Sequence, residues 1–281
     1  MPSVVIPAHD EAGVLPRCLD SVLAQKISED PQVVVVCNGC SDHTAQVARS
    51  FPGVRVVETD RRSKTNALNL GEEVVDAFPR MFLDADVVLE PGALARTFAA
   101  LKNGVLAASP APRFILDHSS IGVRMFYRAW RRMPFYNRSM IGGSGAYALS
   151  REGRGRFDQF PELISDDGYV RLQFASHERK MVEDAHSQVR CPATTSALLD
   201  MMTRVDAGIM ELRETCDELI SREENRSADR IIRALRRPWL APCFLVYASV
   251  RVVARRRAGR LRDRCSATPW IKDASSRIEE G

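Results

Sequence analysis

Short apolar runs alternate with amphipathic stretches through the first third of the chain. Ser3-Val4-Val5-Ile6, Val33-Val34-Val35-Val36, Val54-Arg55-Val56-Val57 and Arg80-Met81-Phe82-Leu83 have the length and β-branched character of strands. Between them, apolar residues recur at helical spacing. Val14, Leu15, Cys18, Leu19, Val22 and Leu23 form one stripe, Thr44, Val47 and Ala48 a second, and Ala67, Leu68, Leu70, Val74 and Val75 a third within residues 64–77. The run at residues 33–36 is apolar on both faces, as in a parallel sheet covered by helices. The pattern predicts βαβαβαβ: a doubly wound, mostly parallel α/β sheet with helices on both faces.

Turn residues punctuate the same series. Pro7 ends the first strand, Asn38-Gly39 follows the second with Ser41 as the expected N-cap of the next helix, and Pro91-Gly92 opens a helix reaching Lys102. Farther on, the pattern predicts a strand at residues 105–109 and a helix at 121–132. Met125, Phe126, Tyr127 and Trp130 of that helix either pack in the core or face an acceptor. The turn Gly142-Gly143-Ser144-Gly145 precedes a short strand and serves either as a tight turn or as a close approach to a ligand. A helix capped by Ser165 or Asp166 follows, then a mixed stretch at 190–202 and an amphipathic helix at 205–220.

Ligands of doubly wound sheets bind outside the carboxyl ends of the strands. His9-Asp10-Glu11, Asn38 to Asp42 and Asp84-Ala85-Asp86 all fall at such ends and should share one rim. If residues 84–86 are extended, the two carboxylates project to one face and can converge on a hard divalent cation. The adjacent carboxylates Asp166 and Asp167 at a helix start either complement the helix dipole or hold one aspartate rigidly toward the cleft, as a general base would need. Neither G-x-G-x-x-G after the first strand nor a P-loop occurs, which excludes the usual dinucleotide and nucleoside triphosphate cradles.

These segments resemble the family 2 glycosyltransferases of the GT-A fold. The resemblance is carried by Val4-Val5-Ile6-Pro7-Ala8-His9-Asp10-Glu11, Val36 to Thr44, Lys64 to Gly71, Phe82-Leu83-Asp84-Ala85-Asp86, Gly143-Ser144-Gly145, and Asp166-Asp167 followed by Val170-Arg171-Leu172. It implies a nucleoside-diphosphate sugar donor and a divalent metal, Mn2+ or Mg2+, ligated by Asp86, with Asp84 orienting the donor. Pro7, Ala8 and Glu11 would frame the nucleotide and Asn38 would lie near its base. Asp42, Lys64 and Asn69 complete the implied donor-binding set, and Asp167 matches the catalytic base of an inverting transfer. Two departures stand out. Asn38-Gly39-Cys40-Ser41 replaces the usual Asp-Asp-Gly-Ser, which leaves uridine and guanosine both open, and Asp166-Asp167 replaces Glu-Asp. No Gln-x-x-Arg-Trp occurs, so a single-sugar transfer is expected rather than polymerisation. The alternatives are a nucleotidyltransferase of similar fold and a catalytically inactive, membrane-associated sugar-nucleotide-binding scaffold.

Composition alters the picture mainly at the C-terminus. A net charge of +4 over 281 residues does not suggest a nucleic-acid binder. Between residues 226 and 264, however, twelve arginines face only Asp229 and Asp263. This suggests a GT-A domain at residues 1–222 and a basic, partly amphipathic helical extension at 223–281. Two readings of the extension remain open: a helix in an anionic membrane interface, with Trp239 and Tyr247 at headgroup depth, or a helix packed on the domain. The first would suit a lipid-linked or glycan acceptor and a protein peripheral on the cytoplasmic face of a membrane. Neither a cleaved leader nor a membrane-spanning run is expected, and Ser266 to Gly281 reads as a mobile terminus. The seven cysteines point to a reduced compartment, and Cys37-Asn38-Gly39-Cys40 lacks the second pair or histidine cluster of a zinc site.

Overall fold

The computed structural model describes residues 1–133, 141–143, 145–217, 219 and 238–264. The expected mobile terminus at 266–281 lies outside them. The first half follows the apolar pattern closely. Strands β1 (Ser3–Ala8), β2 (Gln32–Asn38), β3 (Val54–Thr59) and β4 (Arg80–Leu83) alternate with helices α1 (Leu15–Leu23), α2 (Thr44–Arg49) and α3 (Lys64–Glu73). Strands β1, β2, β3 and β4 pair in parallel in the order β3-β2-β1-β4, with Ala8 opposite Cys37.

Alternation along β1 sends Val4 and Ile6 into one apolar layer with Leu15, Leu19 and Val35, and Val5 into the other with Val34, Leu68 and Phe82. Helices therefore cover both faces of the sheet. A Cβ on Gly71 of α3 would collide with the Val5 side chain, so this helix lies directly on β1.

The second half departs from the expectations in several places. β5 (Val88–Leu89), α4 (Ala93–Ala99), β6 (Ala107–Ile115), α5 (Ile121–Trp130), β7 (Ala146–Leu149), α6 (Arg151–Arg154), α7 (Asp166–Leu172), β8 (Arg179–Arg190) and α8 (Thr195–Thr215) complete one eight-stranded sheet, ordered β3-β2-β1-β4-β7-β6-β8-β5. The helix expected from Gly92 to Lys102 is only α4, with Gly92 as its left-handed N-cap at φ 77°. The strand expected at 105–109 runs to Ile115 through Pro110 and Pro112. It pairs with β7 only at Ala107 and Ala108, so beyond these residues one side has no ladder for the prolines to interrupt.

The charged strand β8 gave no apolar pattern, yet it pairs in parallel along β6, across an irregularity at Pro110/Ala111. Helix α8 starts ten residues before the expected helix at 205–220, because the Thr194 hydroxyl caps it by accepting from Ala197 N. Ser41 does not cap α2. It donates instead to Asp10, and the Asp42 carboxylate takes the Thr44 amide.

The basic extension contributes a 3-10 turn (Pro238–Leu240) and helix α9 (Ala241–Arg264). Helix α9 packs on the domain: Val250 and Ala254 share a core with Val123, Phe126, Leu198 and Met202. Tyr247 stacks on Phe126 at 5.2 Å, turned toward this core, while Trp239 is 68% exposed. Arg251 pairs with the buried Asp206 at 2.7 Å. Phe126 and Tyr127 are buried in this core, which settles their role as packing residues. No described helix is long and apolar enough to cross a membrane.

Candidate active site

Three strand ends meet where the sheet topology directs them. β1 delivers His9-Asp10-Glu11, β2 delivers the Gly39–Asp42 turn, and β4 delivers Asp84. Cross-links between the loops fix the rim. Asp10 Oδ1 accepts from Ser41 N at 2.6 Å, Glu11 N donates to Thr44 Oγ1 at 2.7 Å, and Ala12 N donates to Asp42 Oδ2 at 3.1 Å.

Asp84-Ala85-Asp86-Val87 is a tight turn, not an extended segment, because Val87 N bonds back to Asp84 O at 3.1 Å. The expected same-face projection of Asp84 and Asp86 therefore does not hold. Asp84 turns toward Lys64, whose Nζ lies 2.7 Å from Asp84 Oδ1 and 3.0 Å from Asp166 Oδ1. The buried Cys18 thiol donates to the Asp84 backbone carbonyl at 3.7 Å. Burial, reinforced by the negative charges of Asp86, Asp84 and Glu11, pushes that thiol far above its ordinary range.

The glycine turn and α7 form the opposite wall of the cleft. Gly142 and Gly145 have φ of 95° and 62°. A Cβ on Gly142 would lie 2.7 Å from Asp167 Oδ2, and one on Gly145 would collide with Val87 and come within 3.3 Å of Asp84 Oδ2. The turn is thus both tight and closely seated on the two acids. Asp167 is held from three sides: Gly143 N donates to Oδ2 at 2.9 Å, and Gly168 N and Ser165 Oγ donate to Oδ1 at 2.7 and 3.2 Å. Pro7, Lys64, Leu68, Asp84, Asp166 and Asp167 line the resulting cleft.

Its electrostatics centre on Lys64. Burial alone would lower the Lys64 pKa, but the Asp166 and Asp84 charges outweigh it and hold the ammonium charged well above its usual range. Burial raises Asp166 to about 6, opposed by Lys64 and reinforced by the neighbouring Asp167 and Asp84. The Tyr147 hydroxyl, buried beside these acids, has no hydrogen-bond partner among the described residues. The sequence marks Asp166 only as the first acid of a motif pair, without a role of its own, and does not mark Tyr147. The first read as a helix start, and the second as one position of a short strand.

Other expected residues take structural positions. Asn38 is fully buried, with Nδ2 donating to Ala8 O at 2.8 Å while its carbonyl accepts from His9 Nδ1 at 2.7 Å. It joins the ends of β1 and β2. Asn69 exchanges two hydrogen bonds with the Phe160 backbone and anchors the segment before α7. Asp42 ties α2 to the Ala12 amide.

Asp84 and Asp86 stand on one turn at the β4 end, and carboxylate oxygens there are hard donors of the kind that Mg2+ or Mn2+ takes. Among the described residues, no three carboxylates at this spot have ligand atoms close enough to form a closed cage. Such a site fits an ion that takes its remaining ligands from substrate phosphates. The Lys64 ammonium between Asp84 and Asp166 shows that this acidic wall accepts positive charge.

The model of glycosyl transferase family 2 matches residues 3–151. A PGL/p-HBAD biosynthesis glycosyltransferase of Mycobacterium tuberculosis is 36% identical over 104 residues, covering 34% of this chain and 40% of that protein. A dolichyl-phosphate beta-glucosyltransferase of Drosophila melanogaster is 30% identical over 148 residues, covering 45% of this chain and 44% of its own length. The chain thus spans less than half the length of these relatives. In fold it is similar to the mannosyltransferase PcManGT of Pyrobaculum calidifontis, solved in complex with GDP-Man and Mn2+, with a TM-score of 0.61 and 19% identity over 94% of this chain and 76% of that one. More than half of the chain, from the first strand through the acid-lined rim to the glycine turn, matches the family model, and the protein belongs to glycosyl transferase family 2.

Proposed function

We propose that this chain transfers one sugar from a nucleoside-diphosphate donor to an acceptor hydroxyl, with inversion at the anomeric carbon. The observation that carries the reading is the convergence of Asp84, Lys64, Asp166 and Asp167 on one cleft at the strand carboxyl ends. Family membership supports it, and so does the fold shared with a protein that holds GDP-Man and Mn2+.

Asp167 is the candidate general base. It lines the cleft and is clamped by two backbone amides and Ser165, whereas Asp166 is only 5% exposed and bound to Lys64. A base held this rigidly can take the acceptor proton as the hydroxyl attacks. A divalent cation held by Asp86 and Asp84 would, when bound, supply charge neutralisation for the departing diphosphate. Pro7 lines the cleft directly, while Ala8 and Glu11 belong to the β1 end and frame the nucleotide. Lys64 fixes the orientation of Asp84. For Asn38, Asn69 and Asp42 we infer support of the donor loops, since Asn38 Nδ2, both Asn69 side-chain atoms and the Asp42 carboxylate bond backbone groups. An acceptor in glycolipid or glycan assembly fits the relatives' names.

The test is sugar transfer screened over UDP- and GDP-sugars with Mn2+ or Mg2+, comparing the full chain with Asp167→Asn. The variant should lose transfer by about 10^2-fold or more, with donor affinity unchanged by calorimetry. Normal turnover by Asp167→Asn would refute the base assignment, and inactivity of the wild type with every donor would refute the reading.

A further inference from the structure

The C-x-x-C that lacks partners in sequence acquires them in the fold. The parallel register places Ala8 opposite Cys37, which brings the residues after each strand together. His9, Asp10 and Cys40 then present a nitrogen, an oxygen and a sulfur ligand atom all within 4.8 Å of one another. We propose that these three side chains form a transition-metal site, best suited to Zn2+, separate from the hard-cation position at Asp84 and Asp86.

Donor chemistry and orientation carry the inference. A mixed imidazole, carboxylate and thiolate set is typical of zinc and poorly matched to Mg2+. A tetrahedral zinc keeps its ligand atoms roughly 3.3–3.8 Å apart, as its bond lengths require. His9 Nε2 and Asp10 Oδ2 stand at 3.5 Å.

Each ligand is also aimed by backbone contacts on its other side. His9 is 5% exposed, and its Nδ1 bonds Asn38 O at 2.7 Å, which fixes the tautomer that turns a lone pair of Nε2 toward Asp10. Asp10 Oδ1 takes the Ser41 and Asp42 amides at 2.6 and 3.3 Å and directs Oδ2 to His9. Asp10 has φ 48°, a left-handed conformation uncommon outside glycine. Cys40 Sγ lies 3.5 Å from the Ala8 carbonyl, which holds it at the end of β1 beside His9. The three protein ligands leave a fourth position open. An ion there would cross-link the β1–α1 and β2–α2 loops.

Cobalt titration of the chelator-treated full chain reads the sulfur ligand directly. Co2+ should bind with one equivalent showing thiolate-to-metal charge-transfer absorption, displaced by Zn2+. Asp86→Asn and Cys37→Ser should retain the band, and Cys40→Ser should lose it. His9→Gln and Asp10→Asn should each weaken affinity by about tenfold or more. Thermal melts check folding, and if Cys40→Ser melts early, the His9 and Asp10 variants carry the same test. Absence of the band in the wild type, its survival in Cys40→Ser, or unchanged affinity in both other variants overturns the proposal. Sugar transfer plays no part in this readout, so its outcome is independent of the proposed activity.

Discussion

Asp166 shows how one carboxyl links the cleft to folding. Its pKa is raised from 3.8 to about 6, chiefly by burial, with Lys64 opposing and Asp167 and Asp84 adding to the rise. The native state therefore keeps a proton that the unfolded chain releases between about pH 4 and 6. Stability contributed by this group is greatest at the acid end of that window and falls as pH rises through it. In Asp166→Asn the fall should shrink, as measured by melting temperature across the window. Parallel curves for wild type and variant would rule out the elevated pKa. Asp84 and Asp167 differ from Asp166 in being set by glycines, and only the fold explains this. Nothing in Gly142-Gly143-Ser144-Gly145 indicates which side chains it would touch.

The elements carrying the rim behave as stiff supports. The β4 end and the glycine turn are joined by Asp84 N to Gly145 O at 2.7 Å, so a change on one side moves the acid on the other. Gly145→Ala would force φ near 62° on a residue with a Cβ and press that Cβ into Val87. The expected cost is about 1–3 kcal/mol in denaturant unfolding, with a loss of transfer because Asp84 is displaced. Wild-type stability in the variant would mean that the turn relaxes freely. β1 to β4 were legible because apolar runs buried on both faces need no partner to be recognised. β8 was not, because its charged residues make sense only beside β6 and β5. Helix α8 was half legible: Thr194 supplies a cap whose effect depends on where the strand before it ends.

Across the whole molecule, α9 decides how the basic extension is understood. Its inner face completes the core over α5 and α8, and a chain ending near Ser221 would uncover Val123, Phe126 and Met202. Such a truncation would confound any membrane assay. Its outer face keeps Leu245, Val252 and Val253 exposed beside Arg255, Arg256 and Arg260. Apolar and cationic groups on one exposed helix face match an anionic bilayer surface, and we extend the proposed function to docking there. Leu245→Glu with Val252→Glu should reduce sedimentation with anionic liposomes by roughly tenfold or more, given about 1 kcal/mol or more per buried apolar group, while leaving the melting temperature near wild type. Equal recovery of both proteins in the supernatant would exclude membrane docking.

The order of residues along the chain was enough to establish the alternation of strands and helices and the rim at the strand carboxyl ends, and it pointed to Asp84, Lys64 and Asp167, which line one cleft. These are local properties, written in periodicity, turn residues and short motifs. Tertiary structure alone decided that Asp84-Ala85-Asp86 is a turn, that the Asn38 and Asn69 side chains bond distant backbone groups, that Asp84 and Asp166 both pair with Lys64, and that His9 stands beside Cys40. Each of these depends on strand register and on pairs tens of residues apart. No local pattern encodes them, because the free energy that fixes them arises only when the sheet has closed around its two apolar layers.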